Sequence, residues 1–502
     1  MALDLTRVPV IAGAAQFTNR DEDPLAAPDP LAMMEQVARA AARSARWEGG
    51  PGGASHCWMV HSLSLRHGDP ASALAQRLGA VDAEARCSGM GGSIPQWLVD
   101  RAADLVATGA RPRVLIAGAE ALATRRRAKK AGVELAWPTA PGWPETWPPI
   151  DADLGVHPVE RSHGLEQATT IYALIESALA HAEGHDPEGH RRAIGELMAD
   201  LNAVAVENPY AWFHDRRDAT ELTTVTDDNR MICQPYPKYL NAVMDVDMAA
   251  AVVVTDAATA RDWGLAADEV AYVAGWADAK EVWHLSARPA LHESPALAAC
   301  AGSALGRAGL EADEVGAFDL YACFPSSVEV AARTFGVAPH DGRPRTLTGG
   351  LPYHGGPGSN YVTHALANTL DTLRTGRTGS VLVHGNGFYL TTHAVGVYRS
   401  APPPAAPLPD DGLQARIDAA VRTLAVDATI DGPAAVVAGT VPYGRDGQPG
   451  TGIVVVEADG RRTVARADVA LSALLVSADA VGTTVDVSAA GDPEAGNLAR
   501  PG

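Results

Sequence analysis

The side chains best suited to chemistry in this sequence are one cysteine and two histidines in its second half. Cys323 ends a strand that we predict at residues 317–323, His354 lies in a glycine-rich stretch, and His384 follows an apolar run. A cysteine beside an imidazole can form a thiolate near neutral pH, and the thiolate is the nucleophilic form. Cys323 is therefore a candidate nucleophile, and His354 and His384 are candidate bases. The alternative is that Cys323 is a small buried hydrophobic residue and that both histidines are structural.

Two glycine-rich segments that precede predicted helices could stabilise a negative charge. These segments are Gly91-Gly92-Ser93 and Gly358-Ser359-Asn360. The first N–H groups of a helix lack intrahelical partners and carry the positive end of the helix dipole. Glycine also allows a ligand to approach the backbone closely. We predict that both segments donate hydrogen bonds to an oxyanion, and the alternative is the tight packing of two helices.

The first of these segments belongs to a loop, a helix and a strand between Cys87 and Glu120. Ser93 is predicted to cap the helix, and Pro95 suits its first turn, where a missing N–H costs nothing. Gly109 follows the helix at the position where a left-handed residue is usual. Residues 114–117 form an apolar run typical of a strand that is covered on both faces.

The same arrangement occurs a second time in the chain. Residues 104–118 (DLVATGARPRVLIAG) align without a gap with residues 371–385 (DTLRTGRTGSVLVHG), and Gly118 matches Gly385. Residues 8–15 and 270–277 form a second matching pair, and each is followed by a helix that begins with proline. Because the order of the helices and strands repeats as well as the residue identities, we predict a duplicated α/β unit.

Several short motifs in this duplicated framework resemble those of the thiolase superfamily. TGGLPYHGGPGSNY resembles the loop of the thiolase catalytic histidine, VLVHGNG the loop of the acid/base cysteine, and DLYACF a segment that supplies an oxyanion-hole side chain. KYLNAVMDVDMAAAVVVTD resembles the end of the thiolase N-terminal half. These motifs are at residues 348–361, 381–387, 319–324 and 238–256.

The resemblance implies an α/β thiolase fold of two duplicated halves in five layers, αβαβα. The implied domains are an N-terminal half at 1–268 with an inserted loop domain at about 122–245, and a C-terminal half at 269–400. A proline-rich linker at 401–412 leads to residues 413–502, where short β-type runs and Asp-Gly pairs predict a small β-barrel of the oligonucleotide/oligosaccharide-binding (OB) type. This extra domain resembles that of actinobacterial thiolase-like proteins labelled acetyl-CoA acetyltransferase.

The same resemblance shows that the usual catalytic residues are replaced. Gly91, Gly356 and Val383 stand where thiolases carry the nucleophilic cysteine, the histidine and the second cysteine, and Tyr321 stands where an asparagine or histidine is expected. We therefore predict an acyl-CoA acyltransferase, for thioester acyl transfer or Claisen-type condensation, with a non-standard active site.

The resemblance implies that Cys323 lies in a segment that faces the pocket in thiolases, and that His354 and His384 lie next to the positions of the thiolase histidine and second cysteine. We predict that Cys323 is the nucleophile and that His354 or His384 is its base. The alternative is a catalytically degenerate protein that binds acyl-CoA, CoA or a partner.

Cationic residues near the inserted segment are candidates for holding the phosphates of a coenzyme A thioester, which would be a substrate or ligand rather than a tightly bound cofactor. Arg125, Arg126 and Arg127 open the densest basic run, which continues to Lys130, and Lys238 follows in PYPKY. Ser93 and Ser359 are further candidates, and the tryptophans of the Trp- and Pro-rich segment 137–149 could stack on adenine. The alternatives are a solvated charged face, a simple turn at Lys238 and ordinary packing of the tryptophans.

Charge and cysteine content limit the classes of partner. The 502-residue chain has a formal net charge of −20, which disfavours nucleic acid and anionic membranes as partners. Its five scattered cysteines predict neither a disulfide framework nor a metal site, and they favour a cytoplasmic location. We expect a monomer or a homodimer, with a partner enzyme as a further possibility through the C-terminal domain.

Overall fold

Apolar strands and helices alternate along the chain, and the computed structural model describes residues 3–339, 341–489 and 496–502. No helix among them has both the length and the apolar character needed to cross a bilayer. The α-helices are α1 (Pro30–Ser44), α2 (Pro70–Leu78), α3 (Ile94–Ala107), α4 (Leu122–Ala131), α5 (Pro158–Ser162), α6 (Ala168–Glu183), α7 (Pro187–Glu207), α8 (Ala219–Thr223), α9 (Ala257–Asp262), α10 (Pro295–Ala308), α11 (Pro325–Thr334), α12 (Tyr361–Arg374), α13 (Leu413–Ala420) and α14 (Val469–Ser477).

The β-strands fall into a large sheet, a two-stranded ribbon and a C-terminal barrel. They are β1 (Pro9–Thr18), β2 (His56–Met59), β3 (Glu84–Ser88), β4 (Val114–Ala121), β5 (Thr146–Trp147), β6 (Met231–Cys233), β7 (Tyr236–Pro237), β8 (Asp247–Asp256), β9 (Ala271–Lys280), β10 (Ala317–Asp319), β11 (Ser380–Gly387), β12 (Thr392–Arg399), β13 (Ala425–Val426), β14 (Gly432–Thr440), β15 (Ile453–Ala458), β16 (Arg461–Ala467), β17 (Thr484–Ser488) and β18 (Leu498–Pro501).

The large sheet has ten strands in the order β10-β11-β12-β9-β1-β8-β4-β2-β3-β5. In the first half β2 runs parallel to β4, and β4 runs antiparallel to β8. In the second half β10 runs parallel to β11, and β11 runs antiparallel to β12. The same local topology on either side of the β1–β9 contact agrees with the predicted duplication.

Helices cover both outer faces of the sheet and also fill the space between its halves. Helix α1 packs on β1, β8 and β4, whereas α10 packs on β9 and β12. Helix α3 contacts β8 of the first half and also β11 and β12 of the second, and α12 likewise contacts β8 and β11. The central layer therefore consists of α3 and α12, and the predicted five-layer αβαβα arrangement is present.

The C-terminal barrel closes because β16 pairs with both β15 and β18. Its strands follow the order β16-β15-β14-β17-β18, and β13 adds to the side of β16. Asp459 and Gly460 connect β15 to β16, and both have positive φ, as a tight hairpin of this type requires. The predicted small β-barrel is thus present.

The barrel packs directly against the segment inserted in the first half. The Gln234 N–H donates to the Val441 carbonyl and the Tyr443 N–H to the Ile232 carbonyl, each at 2.9 Å. The Gly439 N–H donates to Ser177 Oγ of α6, also at 2.9 Å. Apolar barrel residues such as Val455 belong to the same buried cluster as the central helices. Inserted segment and barrel therefore share one core.

Candidate functional site

The N-terminal ends of the two central helices meet in the middle of the molecule. The Gly91 N–H, just before α3, donates to Ser359 Oγ, just before α12, at 3.0 Å. Ser93 does not cap α3 with its side chain, which corrects our prediction. Its hydroxyl instead lies 2.8 Å from Thr392 Oγ1 of β12. The two predicted oxyanion segments are therefore in contact.

Each helix end fits against a glycine of the opposite half. A Cβ added at Gly385 of β11 would lie 2.9 Å from the Ser93 Cα, and one added at Gly118 of β4 would overlap the Asn360 side chain. Asn360 Nδ2 also donates to the Gly118 carbonyl at 2.8 Å. Because Gly118 and Gly385 are equivalent in the duplication, the two contacts are related by the pseudo-symmetry of the halves.

The space beside Gly91 and Gly92 is largely filled by protein. A Cβ at Gly92 would overlap the ring of Tyr321, which is buried and packs edge-on against Tyr361. Gly91 has φ +132°, which side-chain-bearing residues rarely adopt, and its N–H is taken by Ser359. A cavity of about 80 Å³ touches Ser93. Tight helix packing dominates here.

The Cys323 side chain is buried, with 7% exposed, beside hydroxyl groups. Its thiol is hydrogen-bonded with Tyr172 and Ser327. Asn386 Nδ2 donates to both of these hydroxyls, at 2.8 and 3.1 Å. Burial raises the pKa of the Cys323 thiol to about 11 despite these hydrogen bonds. The surroundings therefore favour the neutral thiol over the thiolate.

His354 is completely buried, and its ring packs edge-on against Tyr361 and His364 of α12. Its Nδ1 lies 3.2 Å from the Gly355 carbonyl, and its Nε2 has no hydrogen-bond partner among the described residues. Burial lowers the pKa of His354 to about 4, so the imidazole is neutral at pH 7. Next to it, the Gly356 N–H donates to the Val243 carbonyl at 2.8 Å. His354 could accept a proton at Nε2, but it is poorly suited to carry the resulting charge.

His384 belongs to a separate chain of hydrogen bonds. Its Nε2 lies 3.2 Å from His393 Nδ1, His393 Nε2 lies 3.0 Å from Ser294 Oγ, and Ser294 donates to Glu281 at 3.0 Å. Burial lowers the pKa of His384 to about 3. Among the described residues no hydrogen bond connects Cys323 with His354 or His384. The structure does not assemble the predicted residues into a hydrogen-bonded cysteine–histidine pair.

The predicted phosphate-binding cations differ in whether a carboxylate of the protein already pairs with them. Arg126 pairs with Asp245, and Arg127 Nη1 lies 3.1 Å from Asp247 Oδ2. Lys238 Nζ donates to the Asp228 carbonyl at 3.1 Å. Arg125 Nη1 makes a 3.3 Å hydrogen bond to the Leu63 carbonyl, and its side chain lines a surface groove. Arg125 is therefore the predicted cation that a ligand in this groove would meet.

This groove is lined by three cations, one carboxylate and an aromatic ring. Its volume is about 320 Å³, and the lining includes Arg66, Arg125, Lys129, Glu134 and Trp137. A neighbouring cavity of about 280 Å³ shares Arg66 with it and extends to Cys87. We did not identify Arg66 from the sequence, because an isolated arginine after β2 carries no periodic or motif signal. The fold brings it to the basic face of α4.

Comparisons with known proteins show where this architecture recurs. Residues 412–492 match the sequence family described as the thiolase-like protein type 1 additional C-terminal domain. No curated protein matches the chain. The crystal structure of a monomeric SCP2-thiolase like protein type 1 (STLP1) from Mycobacterium smegmatis is 30% identical, with a TM-score of 0.83 over 99% of this chain and 100% of that one.

More distant structures share the fold of the two halves. The Ltp2-ChsH2(DUF35) aldolase is 19% identical, with a TM-score of 0.60 over 79% of this chain and 99% of that one. Human mitochondrial 3-ketoacyl-CoA thiolase in complex with CoA is 15% identical, with a TM-score of 0.52 over 80% and 100%. The match to the mycobacterial structure, by contrast, also extends over the C-terminal barrel. This end-to-end similarity, together with the domain match at residues 412–492, shows that the chain belongs to the SCP2-thiolase-like protein type 1 family.

Proposed function

We propose that the chain binds a coenzyme A thioester in the groove formed by Arg66, Arg125, Lys129 and Trp137. The observation that carries the proposal is the convergence of three cations on one groove of a chain whose net charge is −20. Arginine and lysine are suited to phosphate oxygens, as fork and point donors. Coenzyme A carries its phosphate groups at the adenosine end of the molecule, and these are the groups that the three cations would bind.

Aromatic residues near the groove are suited to its adenine. Trp137 lines the groove itself, and Trp143, which is 87% exposed, lines the adjoining cavity. Trp147, in contrast, packs edge-on against Trp58 and Trp97 within the protein. We therefore assign adenine stacking to Trp137 or Trp143 and a structural role to Trp147. The human thiolase that shares the fold was crystallised with CoA, which supports this class of ligand.

The surroundings of Cys323 favour binding without covalent catalysis. With a thiol pKa of about 11, roughly one Cys323 side chain in ten thousand is ionised at pH 7. Among the described residues, neither of the histidines that we predicted as its base is hydrogen-bonded to Cys323, because His354 Nδ1 lies against the Gly355 carbonyl and His384 against His393. We therefore propose a thioester-binding protein that does not form an acyl-cysteine. Acyl transfer through Cys323 is the second candidate, because Tyr172 and Ser327 hold the thiol in a defined position.

Calorimetric titration with CoA tests the binding site. We expect wild type to bind CoA and Arg125→Ala/Lys129→Ala to bind at least about 10-fold more weakly, a loss of 1.4 kcal/mol. Arg126→Ala is the matched control, since Arg126 belongs to the same basic run but pairs with Asp245. Wild type without affinity for CoA, or equal losses in both variants, would overturn the proposal.

Intact mass and thiol release distinguish binding from acyl transfer. The protein is incubated with a panel of acyl-CoA thioesters, in parallel with Cys323→Ser. We expect no adduct and no CoA release. An acyl adduct on wild type that is lost in Cys323→Ser would establish the acyltransferase instead.

We also propose that the chain is a monomer. The edge of β3 is already paired with β5, through Cys87 with Thr146 and Ser88 with Trp147, and the Arg86 guanidinium lies 4.7 Å from the centre of the Trp147 ring. Strand β5 therefore covers this edge at Cys87 and Ser88, which limits its pairing with a second chain. Light scattering on the purified chain should give the mass of one copy, and the mass of two copies would contradict the proposal.

A further inference from the structure

A group of metal-ligating side chains lies at the turn between α6 and α7, within the inserted segment. Gly184 ends α6 in the left-handed conformation (φ +68°), and its N–H donates to the His181 carbonyl at 3.0 Å. The His185 N–H donates to the Ala180 carbonyl at 3.1 Å, so the turn has the hydrogen bonds of a Schellman motif. His190 lies in the first turn of α7, and the turn folds His185 back towards it.

Three ligand atoms converge at this turn. His185 Nδ1 lies 3.3 Å from His190 Nδ1 and 3.3 Å from Glu183 Oε2. Ligands at 2.0–2.1 Å from a tetrahedral zinc ion are about 3.3 Å apart, so the observed spacings match two edges of such a tetrahedron. Glu183 and His185 are exposed, whereas His190 is buried. An ion could thus reach the turn from solvent.

The opposite nitrogen of His190 is held by a buried carboxylate. His190 Nε2 lies 2.6 Å from Glu176 Oε1, and Glu176 also accepts a hydrogen bond from the Tyr236 hydroxyl. A carboxylate at Nε2 places the imidazole proton there and leaves the Nδ1 lone pair free for a ligand. This carboxylate–histidine arrangement is the usual outer shell of a zinc-bound histidine.

Two side chains of α11 flank the cluster. Glu329 lies beside Glu176 and His190, and its Oε2 is buried without a hydrogen-bond partner among the described residues. The Arg333 guanidinium donates to Glu183 Oε1 at 3.0 Å, whereas Glu183 Oε2 faces His185. The Glu183 carboxylate is therefore held with one oxygen towards the histidines.

We propose that Glu183 Oε2, His185 Nδ1 and His190 Nδ1 bind a zinc ion and leave the fourth position to water. Imidazole and carboxylate are ligands that Zn²⁺ accepts, and three protein ligands with one open position is an established arrangement. The site is separate from the groove and from the central helices. It would fasten the α6–α7 turn to α11 through Arg333 and Glu329.

Titration of the chelator-treated full-length chain with ZnCl₂ tests this site. We expect one zinc ion per chain, and we expect His185→Gln and Glu183→Gln each to weaken binding at least about 10-fold. His181→Gln is the matched control, because His181 lies on the same turn of the chain but pairs with Asp479. Circular dichroism of each variant verifies that it is folded, and because both substituted ligands are exposed, we expect the fold to persist.

Substitution with Co²⁺ adds a spectroscopic readout. Wild type should show the intense visible absorption of four-coordinate Co²⁺, and His185→Gln should lose it. Wild type that binds no zinc, or folded His185→Gln and Glu183→Gln proteins that bind as tightly as wild type, would overturn the proposal.

Discussion

Buried neutral imidazoles make the stability of this protein dependent on pH. His354 has a pKa of about 4 in the folded chain because it is completely buried, whereas an exposed histidine has a pKa near 6.5. Between these values the unfolded state binds more protons than the folded state. The contribution of the neutral His354 to the free energy of unfolding is therefore complete above pH 6.5, and it is lost as the pH falls from 6.5 through about 4.

We predict that the free energy of unfolding falls by roughly 2–3 kcal/mol between pH 7 and pH 4.5 because of His354 alone. Urea denaturation of wild type and His354→Gln at both pH values measures this, and the variant should show a smaller fall. His214→Gln, at an exposed position, serves as control. An equal fall in wild type and His354→Gln would contradict the assignment.

The cysteines give a second test at the residue scale. All five are free and buried, and burial raises the thiol pKa of Cys57, Cys87 and Cys233 to about 12 and that of Cys323 to about 11. We predict that iodoacetamide at pH 7.5 leaves the folded chain unlabelled over minutes, while the chain in urea gains five labels by mass. Rapid labelling that disappears in Cys323→Ala would show an activated nucleophile.

At the scale of elements, the contact between β11 and the start of α3 depends on the lack of a side chain at Gly385. A Cβ there would be 2.9 Å from backbone that cannot easily move, the Ser93 Cα. We predict that Gly385→Ala lowers the free energy of unfolding by roughly 1–3 kcal/mol. Gly302 is an exposed residue of α10, and an added Cβ there would have no atom within 4 Å. A side chain at this position therefore meets no steric conflict. Gly302→Ala should raise stability by roughly 0.5–1 kcal/mol.

Urea denaturation of both variants measures these changes. If Gly385→Ala were as stable as wild type, the two halves would not be packed closely at the helix ends.

The duplicated α/β unit could be predicted from the sequence because its signals are local. The helix from Ile94, the strand from Val114 and the Asp459–Gly460 hairpin each follow from periodicity or turn chemistry, and the fold class was confirmed. The strand predicted at 317–323 ends at Asp319. The Leu320 N–H donates to the Arg345 carbonyl rather than to a strand, and the Asp319 carboxylate accepts hydrogen bonds from the N–H groups of Leu347 and Thr348.

The details of the site could not be predicted in the same way. Whether Cys323 touches an imidazole depends on contacts between segments far apart in sequence, such as those of Cys323 with Tyr172. Ser93 has the residue type of a cap, but its hydroxyl is used by Thr392 on β12. Arg66 reaches the groove only through the packing of the chain after β2 against α4. Tertiary contacts decide all three cases.

At the scale of the whole molecule, the barrel and the thiolase-like halves are connected through Arg462. This side chain is 3% exposed and extends from β16 to the carbonyls of Arg288 and Pro289, while its Nε donates to Glu457 at 2.9 Å. A buried carbonyl that loses its donor costs roughly 1–3 kcal/mol. The apolar residues of the barrel also extend the core of the central helices. From these contacts we expect the barrel and the two halves to unfold as one cooperative unit.

We predict that wild type unfolds in a single calorimetric transition and that Arg462→Met shifts the whole transition to lower temperature without splitting it. Arg461→Ala, the adjacent position in β16, should change little, because Arg461 is exposed and its pair with Asp427 is a surface ion pair of at most about 1 kcal/mol. Two resolved transitions in wild type would show that the barrel folds on its own.

Deletion of residues 401–502 should make the two remaining halves insoluble, because the faces of α6 and β6 that the barrel covers would then be exposed to water. The soluble fraction after expression measures this.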